Sequence, residues 1–298
     1  MNESEESKEV VAVPLPSGLK NRALKVPAGT HVPEAPAHLF KLHTMCAFVG
    51  TRGSGKTNAC VVLAKEYFDY GSFTRIYLIS PTYESNTVFQ MLDIRPEDIY
   101  QDTFKCQDAL HDIINKIQQD KQMYDQMQSY SKVYKQWKKS PNTLSAEEMF
   151  VMEDMDYAEP LDLPIPSSLL IIDDMSHSDI FSGARKNPFI NLCLRHRHLH
   201  KVGLSIFMLL QNYRSHGSIP KALRENIQQF FVWKVRDMSV LRAIHGEFAN
   251  LIAFDEFQAL FNHATSENDH DFMTIDMNAH DKILMFRKNF DEVLRVSH

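Results

Sequence analysis

Eight consecutive residues, Gly50, Thr51, Arg52, Gly53, Ser54, Gly55, Lys56 and Thr57, follow the pattern G-x-x-x-x-G-K-[ST]. Glycines at these spacings let backbone N–H groups turn inward around a phosphate chain, and a helix beginning at the end of the pattern offers its positive N-terminus. A lysine at position 56 reaches β- and γ-phosphates, and the Thr57 hydroxyl is placed for Mg²⁺. The candidate nucleotide contacts therefore run from Gly50 through Asn58. The bland alternative is a Gly-rich turn. An apolar run before the loop and a helical pattern after it favour the phosphate reading.

Leu169-Leu170-Ile171-Ile172-Asp173-Asp174 is an apolar run ending in two carboxylates. Downstream of a phosphate loop, the first acid, Asp173, holds Mg²⁺ through water, and the second, Asp174, polarises an attacking water. The alternative is that both merely cap the next helix. Gln211 directly follows another apolar run and is expected at the edge of a sheet, where it could sense a γ-phosphate or orient water. An ordinary surface glutamine is its alternative. Arg195, Arg197, Arg214 and Arg224 are expected near the same edge. Arg197 is the first choice and Arg224 the second for an arginine that completes a neighbouring subunit's site. Each could equally be a surface arginine.

Three histidines, His196, His198 and His200, fall in a predicted helix, where only His196 and His200 share a face. A metal pair there lacks a nearby carboxylate or cysteine set, so surface placement or nucleic-acid contact is the simpler reading. Lys132, Lys135, Lys138 and Lys139 interleave with Tyr130, Tyr134 and Trp137. That mixture suits a nucleic-acid backbone, or an amphipathic helix packed on a sheet.

The elements that position these residues can be read from periodicity. Thr44–Val49 is a short strand and Thr57–Tyr70 a helix closed by Gly71. Phe73–Ser80 is a second strand. A helix spans 106–139, broken by Pro141, and an acidic segment to Pro166 reads as a loop containing a short helix. Ser168–Ile172 is a continuous apolar run, the pattern of a strand buried on both faces, and Gly203–Leu210 and Gln229–Val235 read as further buried strands. Asn187-Pro188 opens a helix. Two more helices are expected near 238–247 and 255–263, then strands at Phe272–Met277 and Lys282–Phe286. Strands alternating with helices indicate an α/β fold with a mainly parallel central sheet. Residues 1–40, rich in proline, read as a flexible arm. Residues 41–298 read as one domain with a helical, acidic insertion near 101–166.

The composition is that of a globular chain: 298 residues, 44% apolar, 23% charged, net charge −6. The longest apolar run, Val202–Leu210, is far short of the roughly 20 residues that span a bilayer, so an integral membrane protein is not expected. MNESEESKEV is not the pattern of a signal or transit peptide. Four dispersed cysteines suggest a reducing compartment rather than a disulfide framework. The total charge conceals segregation. Residues 141–182 carry ten acids and no Lys or Arg, whereas 185–242 carry eleven basic residues against Glu225 and Asp237 alone. Such a basic stretch could line a phosphate backbone, or be a set of solvated helix faces.

GTRGSGKT, LLIIDDM and RHRHLHKVGLSIFMLLQNYRSHGSIPKALRENI together resemble the viral genome-packaging ATPases of the HerA/FtsK superfamily. The third segment is the most telling. Arg197-His198 precedes a buried strand, Gln211 ends it, and Ile219-Pro220 with Leu223-Arg224-Glu225-Asn226 follows. Ile79-Ser80-Pro81-Thr82, with Asn86, adds a weaker likeness. The resemblance covers roughly residues 44–236. It implies a P-loop NTPase of RecA/ASCE type, a homo-oligomeric hexamer or pentamer, and ATP hydrolysis with Mg²⁺ that drives double-stranded DNA into a capsid. Lys56 and Thr57 take the Walker A roles, Asp173 the Mg²⁺ role and Gln211 the sensor role. Asp174 stands where the wider superfamily usually has Glu. Capsid or inner-membrane proteins are further partners in this reading, and the host cytoplasm, in a viral factory, or the virion is the expected location. DNA contact without base readout is expected, because a packaging motor must accept any sequence.

Two other classes compete. A small-molecule P-loop kinase needs an arginine-bearing lid, and the Asp173-Asp174 pair with a Gln-tipped strand suits hydrolysis better. A nucleotide-dependent switch or scaffold is the other. The guanine signature Asn-Lys-x-Asp of a GTPase is missing from the sequence.

Overall fold

Met45–Val49 (β1) is buried along its whole length, and its side chains alternate between two hydrophobic layers. Met45, Ala47 and Val49 join one layer, while Cys46 and Phe48 join the other. This period of two, apolar on both faces, is what a strand in the middle of a covered parallel sheet requires. The computed structural model describes residues 29–102, 106–175, 178–181, 187–211, 213 and 219–296. Arg185, Lys186, Arg214 and most of the proline-rich arm, residues 1–28, lie outside the described residues.

In chain order, β1 is followed by α1 (Lys56–Asp69), β2 (Arg75–Ile79), β3 (Ile99–Tyr100), α2 (Cys106–Lys139) and α3 (Ala146–Asp154). Then come β4 (Ser168–Asp173), α4 (Pro188–Arg195), β5 (Leu204–Leu210), α5 (Lys221–Arg224) and β6 (Gln229–Trp233). The chain finishes with α6 (Met238–His245), α7 (Phe254–Ala264), β7 (Phe272–Asp276), β8 (Phe286–Lys288) and β9 (Glu292–Val293). The strands form one sheet in the order β3-β2-β4-β5-β1-β6-β7-β8-β9. The first six in that order are parallel, and β7, β8 and β9 are antiparallel additions. The molecule is thus an α/β protein with a mainly parallel sheet flanked by helices. One face is covered by the first turns of α2 with α4, α6 and α7; the other carries α1 and the segments around Phe40 and Phe89.

Local chemistry sets several boundaries. Helix α1 ends in a Schellman arrangement, with Gly71 N–H donating to Phe68 O and Ser72 N–H to Tyr67 O. Asn187 caps α4, its side chain accepting from Phe189 N–H, with Pro188 in the first turn. The predicted helix at 106–139 forms over Cys106–Lys139.

Three expectations fail locally. The strand predicted at Lys282–Phe286 is a 3-10 turn over Lys282–Leu284, and the strand begins only at Phe286. Asp281 explains this: its carboxylate accepts from Ile283 N–H and starts a turn where alternation alone suggested a strand. The histidine segment also leaves the helix. Helix α4 stops at Arg195, Leu199 turns extended and His200 adopts φ +46, so His196 and His200 do not share a helical face. Residues 29–40, expected within the flexible arm, lie against the body. His31 N–H donates to Lys201 O, Ser72 Oγ to Glu34 O and Tyr67 O–H to Phe40 O.

Two imidazoles are buried in this region. His43 sits under His31 with Nε2 3.1 Å from its carbonyl. His196 Nδ1 lies 2.8 Å from Leu204 O. Burial pulls the pKa of each down to about 4. The unfolded chain therefore binds more protons between the ordinary histidine value and 4. Stability from these residues is complete above pH 6.5 and is lost as pH falls towards 4, at up to about 3 kcal/mol each. Urea midpoints measured from pH 7 to pH 4 should fall, and His43→Gln should flatten the slope. An unchanged slope in the variant would refute the assignment.

Candidate nucleotide site

Parallel strands bring their carboxyl ends to one edge, and the candidate residues leave from that edge. In register, Val49 lies opposite Leu210, and Asp173 opposite Leu209. β5 lies between β1 and β4. The phosphate loop, Gln211 and the two aspartates therefore stand side by side. Gly50 N–H donates to Leu210 O at 3.1 Å, which seats the loop on the end of β5.

Within the loop, Gly55 adopts φ +101 as the N-cap of α1. That left-handed conformation turns the following amides towards the loop and is strained for any residue with a β-carbon. The helix start has no side-chain cap and no acidic residue in its first turn, so its positive end is uncompensated. Ser54 Oγ is buried without a hydrogen-bond partner. Gly50 is the closest approach. A β-carbon there would lie 2.9 Å from Trp233 Cβ and 2.7 Å from Ser54 Oγ. These features together fit a bound phosphate chain: open amides, a helix dipole and an unsatisfied hydroxyl. Thr57 is half-buried and Arg52 and Asn58 are exposed, all on the loop or the first turn of α1.

Lys56 is buried, and its ammonium donates to Gly50 O and Thr51 O, both at 2.8 Å. Burial pulls its pKa below the ordinary lysine value, and the carboxylates of Asp173 and Asp174 oppose that. Asp173 is raised to about 6, first by burial and then by Asp174, with Lys56 and a Ser80 hydrogen bond pulling the other way. The site is thus one buried ammonium facing two carboxylates. Asp174 leaves β4 with φ +52, a conformation that Asp tolerates better than most residues. Its Oδ1 accepts from Gln211 Nε2 at 2.6 Å. The structure brings Lys56, Asp173, Asp174 and Gln211 together.

The arginines are placed differently. Arg195 and Arg197 come just before β5, so they lie at the amino edge of the sheet, away from their own phosphate loop. The expectation that they lie near the nucleotide edge is corrected on this point. Arg197 is exposed there, in a groove with His198, Asn226 and Asn278. Arg224 packs inward. Its guanidinium lies 5.7 Å from the Tyr213 ring centre and 3.7 Å from Glu247. Among the described residues no group of three or more His, Cys, Asp or Glu is placed to hold a metal ion.

Sequence reasoning assigned no role to Ser80, Trp233 or His270. Ser80 is fully buried, and its hydroxyl donates to Asp173 Oδ2 at 3.5 Å. A polar residue directly after an apolar strand was the available signal. Trp233 donates Nε1–H to His270 O, and the His270 ring lies 3.3 Å from Ser54 O. This buttress comes from β6 and the start of β7, and no local pattern announces it.

The sequence matches no protein-family model and no curated protein. Several solved structures are similar. B204, the DNA-packaging ATPase from Sulfolobus Turreted Icosahedral Virus, is 13% identical with TM-score 0.49, over 82% of this chain and 96% of that one. The genome-packaging NTPase B204 from Sulfolobus turreted icosahedral virus 2, in complex with AMP, is 13% identical with TM-score 0.46, over 84% and 98%. The pCW3 conjugation coupling protein TcpA, in its monomer form with ATPgS, is 12% identical with TM-score 0.43, over 86% and 64%.

The close approach at Gly50 is open to test. Gly50→Ala should cost about 1–3 kcal/mol of stability and weaken binding of a fluorescent ATP analogue. Thermal unfolding and a titration read the two effects, and wild-type values in both would overturn the packing argument.

Proposed function

We propose that this chain is an ATP-hydrolysing motor that moves double-stranded DNA, of the genome-packaging kind, and works as a closed homo-oligomeric ring of five or six copies. The observation that carries the reading is the assembly of Lys56, Asp173, Asp174 and Gln211 at the carboxyl edge of one parallel sheet. A loop for phosphates, two acids and a glutamine joined to the second acid suit hydrolysis. The motif likeness to viral packaging ATPases supplies the substrate class, and the basic stretch between Arg195 and Arg242 is available for a phosphate backbone without reading bases.

In this reading the backbone amides of the loop and the α1 N-terminus bind the phosphates of ATP. Lys56 exchanges its two carbonyl partners for phosphate oxygens, which keeps its charge hydrogen-bonded throughout. Thr57 and Asp173 are the residues that would hold Mg²⁺, which supplies charge neutralisation on the phosphates. Asp174 accepts the proton of the attacking water, and Gln211, already bonded to that carboxylate, orients it. Arg197 stands at the opposite edge from Lys56 of the same copy, so it can serve only a neighbour's site. Capsid or inner-membrane proteins, and action in the host cytoplasm or virion, complete the proposal.

The test is ATP turnover with and without linear duplex DNA, alongside oligomeric mass. Duplex DNA should stimulate turnover, and Lys56→Ala should lower it by roughly 100-fold or more. Mixing Lys56→Ala with Arg197→Ala subunits should restore part of the activity that each lacks alone. Unchanged turnover in Lys56→Ala sinks the reading. Failure to complement sinks the role of Arg197 in a neighbour's site.

A further inference from the structure

Helix α2 is longer than the sheet it covers. Its 34 residues span about 51 Å. Ala109, Leu110, Ile113 and Ile117 bury its first turns against the sheet. Further along, Asp120 meets Arg75, the first residue of β2, at 3.0 Å. Arg75 is also held by the fully buried Asp98 through Nε and Nη2, at 2.7 and 2.9 Å. That clamp marks where α2 crosses the amino edge. Residues 121–139 then continue for about 28 Å.

The projecting part has its own small core. Tyr130, Tyr134 and Met152 are buried together, with Trp137, Leu144 and Met155 packed around them. Trp137 also meets Tyr157, with ring centres 5.5 Å apart. Ser145 and Glu148 form a reciprocal capping box at the start of α3. Met152 faces this core, whereas the opposite face of α3 carries Glu147, Phe150, Val151 and Asp154 at helical spacings of three and four. Phe150 is 75% exposed and Val151 42%. A phenylalanine left in water on a projecting helix, bracketed by acids, is a contact surface without its partner.

We propose that this hairpin is an assembly arm that docks on the carboxyl edge of a second copy of this chain. The proposal rests on the ring reading above and names a contact that would build the ring. The complement is on the same molecule. Lys234 and Arg236 are exposed directly after β6, the strand beside the phosphate loop strand, and Met238 next to them is 37% exposed. The one acid between them, Asp237, has its carboxylate turned onto Ser239 N–H and Oγ. The α3 face of the arm thus presents apolar groups with acids, the exposed lysines Lys132, Lys135, Lys138 and Lys139 lying on α2, and the edge presents an apolar group with bases. Arm and patch lie at opposite edges of one sheet, so the arm points away from its own patch. The contact is head to tail, which closes rings or propagates filaments. Arg197 shares the arm's edge, so one docking event brings it towards the neighbour's Lys56 site.

Full-length protein is measured by sedimentation velocity with an ATP analogue and with duplex DNA. The triple variant Glu147→Lys, Phe150→Ser, Asp154→Lys should associate roughly tenfold or more weakly while binding the nucleotide analogue as wild type does. Circular dichroism checks its folding. Mixing it with Lys234→Glu, Arg236→Glu protein should restore association, which a misfolded arm could not do. Wild-type association of the arm variant overturns the arm and leaves the ring reading standing. Intact association with loss of DNA-stimulated turnover overturns it too, and assigns the arm to DNA. Wild-type protein that stays monomeric with nucleotide and DNA overturns both.

Discussion

Lys56 imposes the central constraint. A lysine with 8% exposure needs acceptors for its ammonium and a compensating charge nearby. Two backbone carbonyls of its own loop provide the acceptors, and Asp173 and Asp174 provide the charge. Only a fold that delivers a loop and a carboxylate-tipped strand to one place can supply both. Parallel strands do this because all their carboxyl ends face the same way. The strand order follows from the same need: β5 separates β1 from β4, which leaves Gln211 between the loop and the acids.

The same geometry divides the molecule into two unlike edges. The carboxyl edge holds the loop, the acid pair and exposed Lys234 and Arg236. The amino edge holds Arg197, the buried histidines and the root of the α2 projection. A symmetric face-to-face dimer would pair like with like. A head-to-tail arrangement pairs the nucleotide edge of one copy with the arginine edge of the next, and closes if the rotation is right. The charge segregation along the sequence acquires a spatial meaning here. Most of the acidic segment lies on the projecting hairpin and the chain returning from it. Asp173 and Asp174, near its end, reach the site.

Much of this was legible in the sequence because it depends on local rules. Dominantly apolar runs marked β4, β5 and β6, since a strand covered on both faces shows no regular alternation with polar positions. Pro141 and the spacing of Leu110, Ile113 and Ile117 marked α2. The parts that were misread depend on what a linear pattern does not weigh. Lys282–Phe286 alternates like a strand, but the Asp281 side chain competes for the backbone and wins. His196 and His200 share a face only if the helix continues, and it stops at Arg195. The arginines were misplaced for a topological reason. Residues that precede a parallel strand lie at its amino end, so Arg195 and Arg197 could not be beside a loop that follows one. His270 reaches Ser54 across 216 residues of sequence separation, a contact that no local spacing encodes.

Asp174 is the residue in which these constraints meet. An aspartate is one methylene shorter than a glutamate, so its carboxylate starts further back. Its backbone has left the strand with φ +52, which redirects the side chain instead of lengthening it. The carboxylate meets Gln211, which the end of β5 holds beside the loop. Among the described residues its hydrogen-bond partner is thus a side chain from the tip of a different strand. A short acid, a left-handed turn and a glutamine at the tip of the intervening strand therefore form one unit. Altering any one of them moves the carboxylate relative to Lys56, the distance on which the proposed hydrolysis depends.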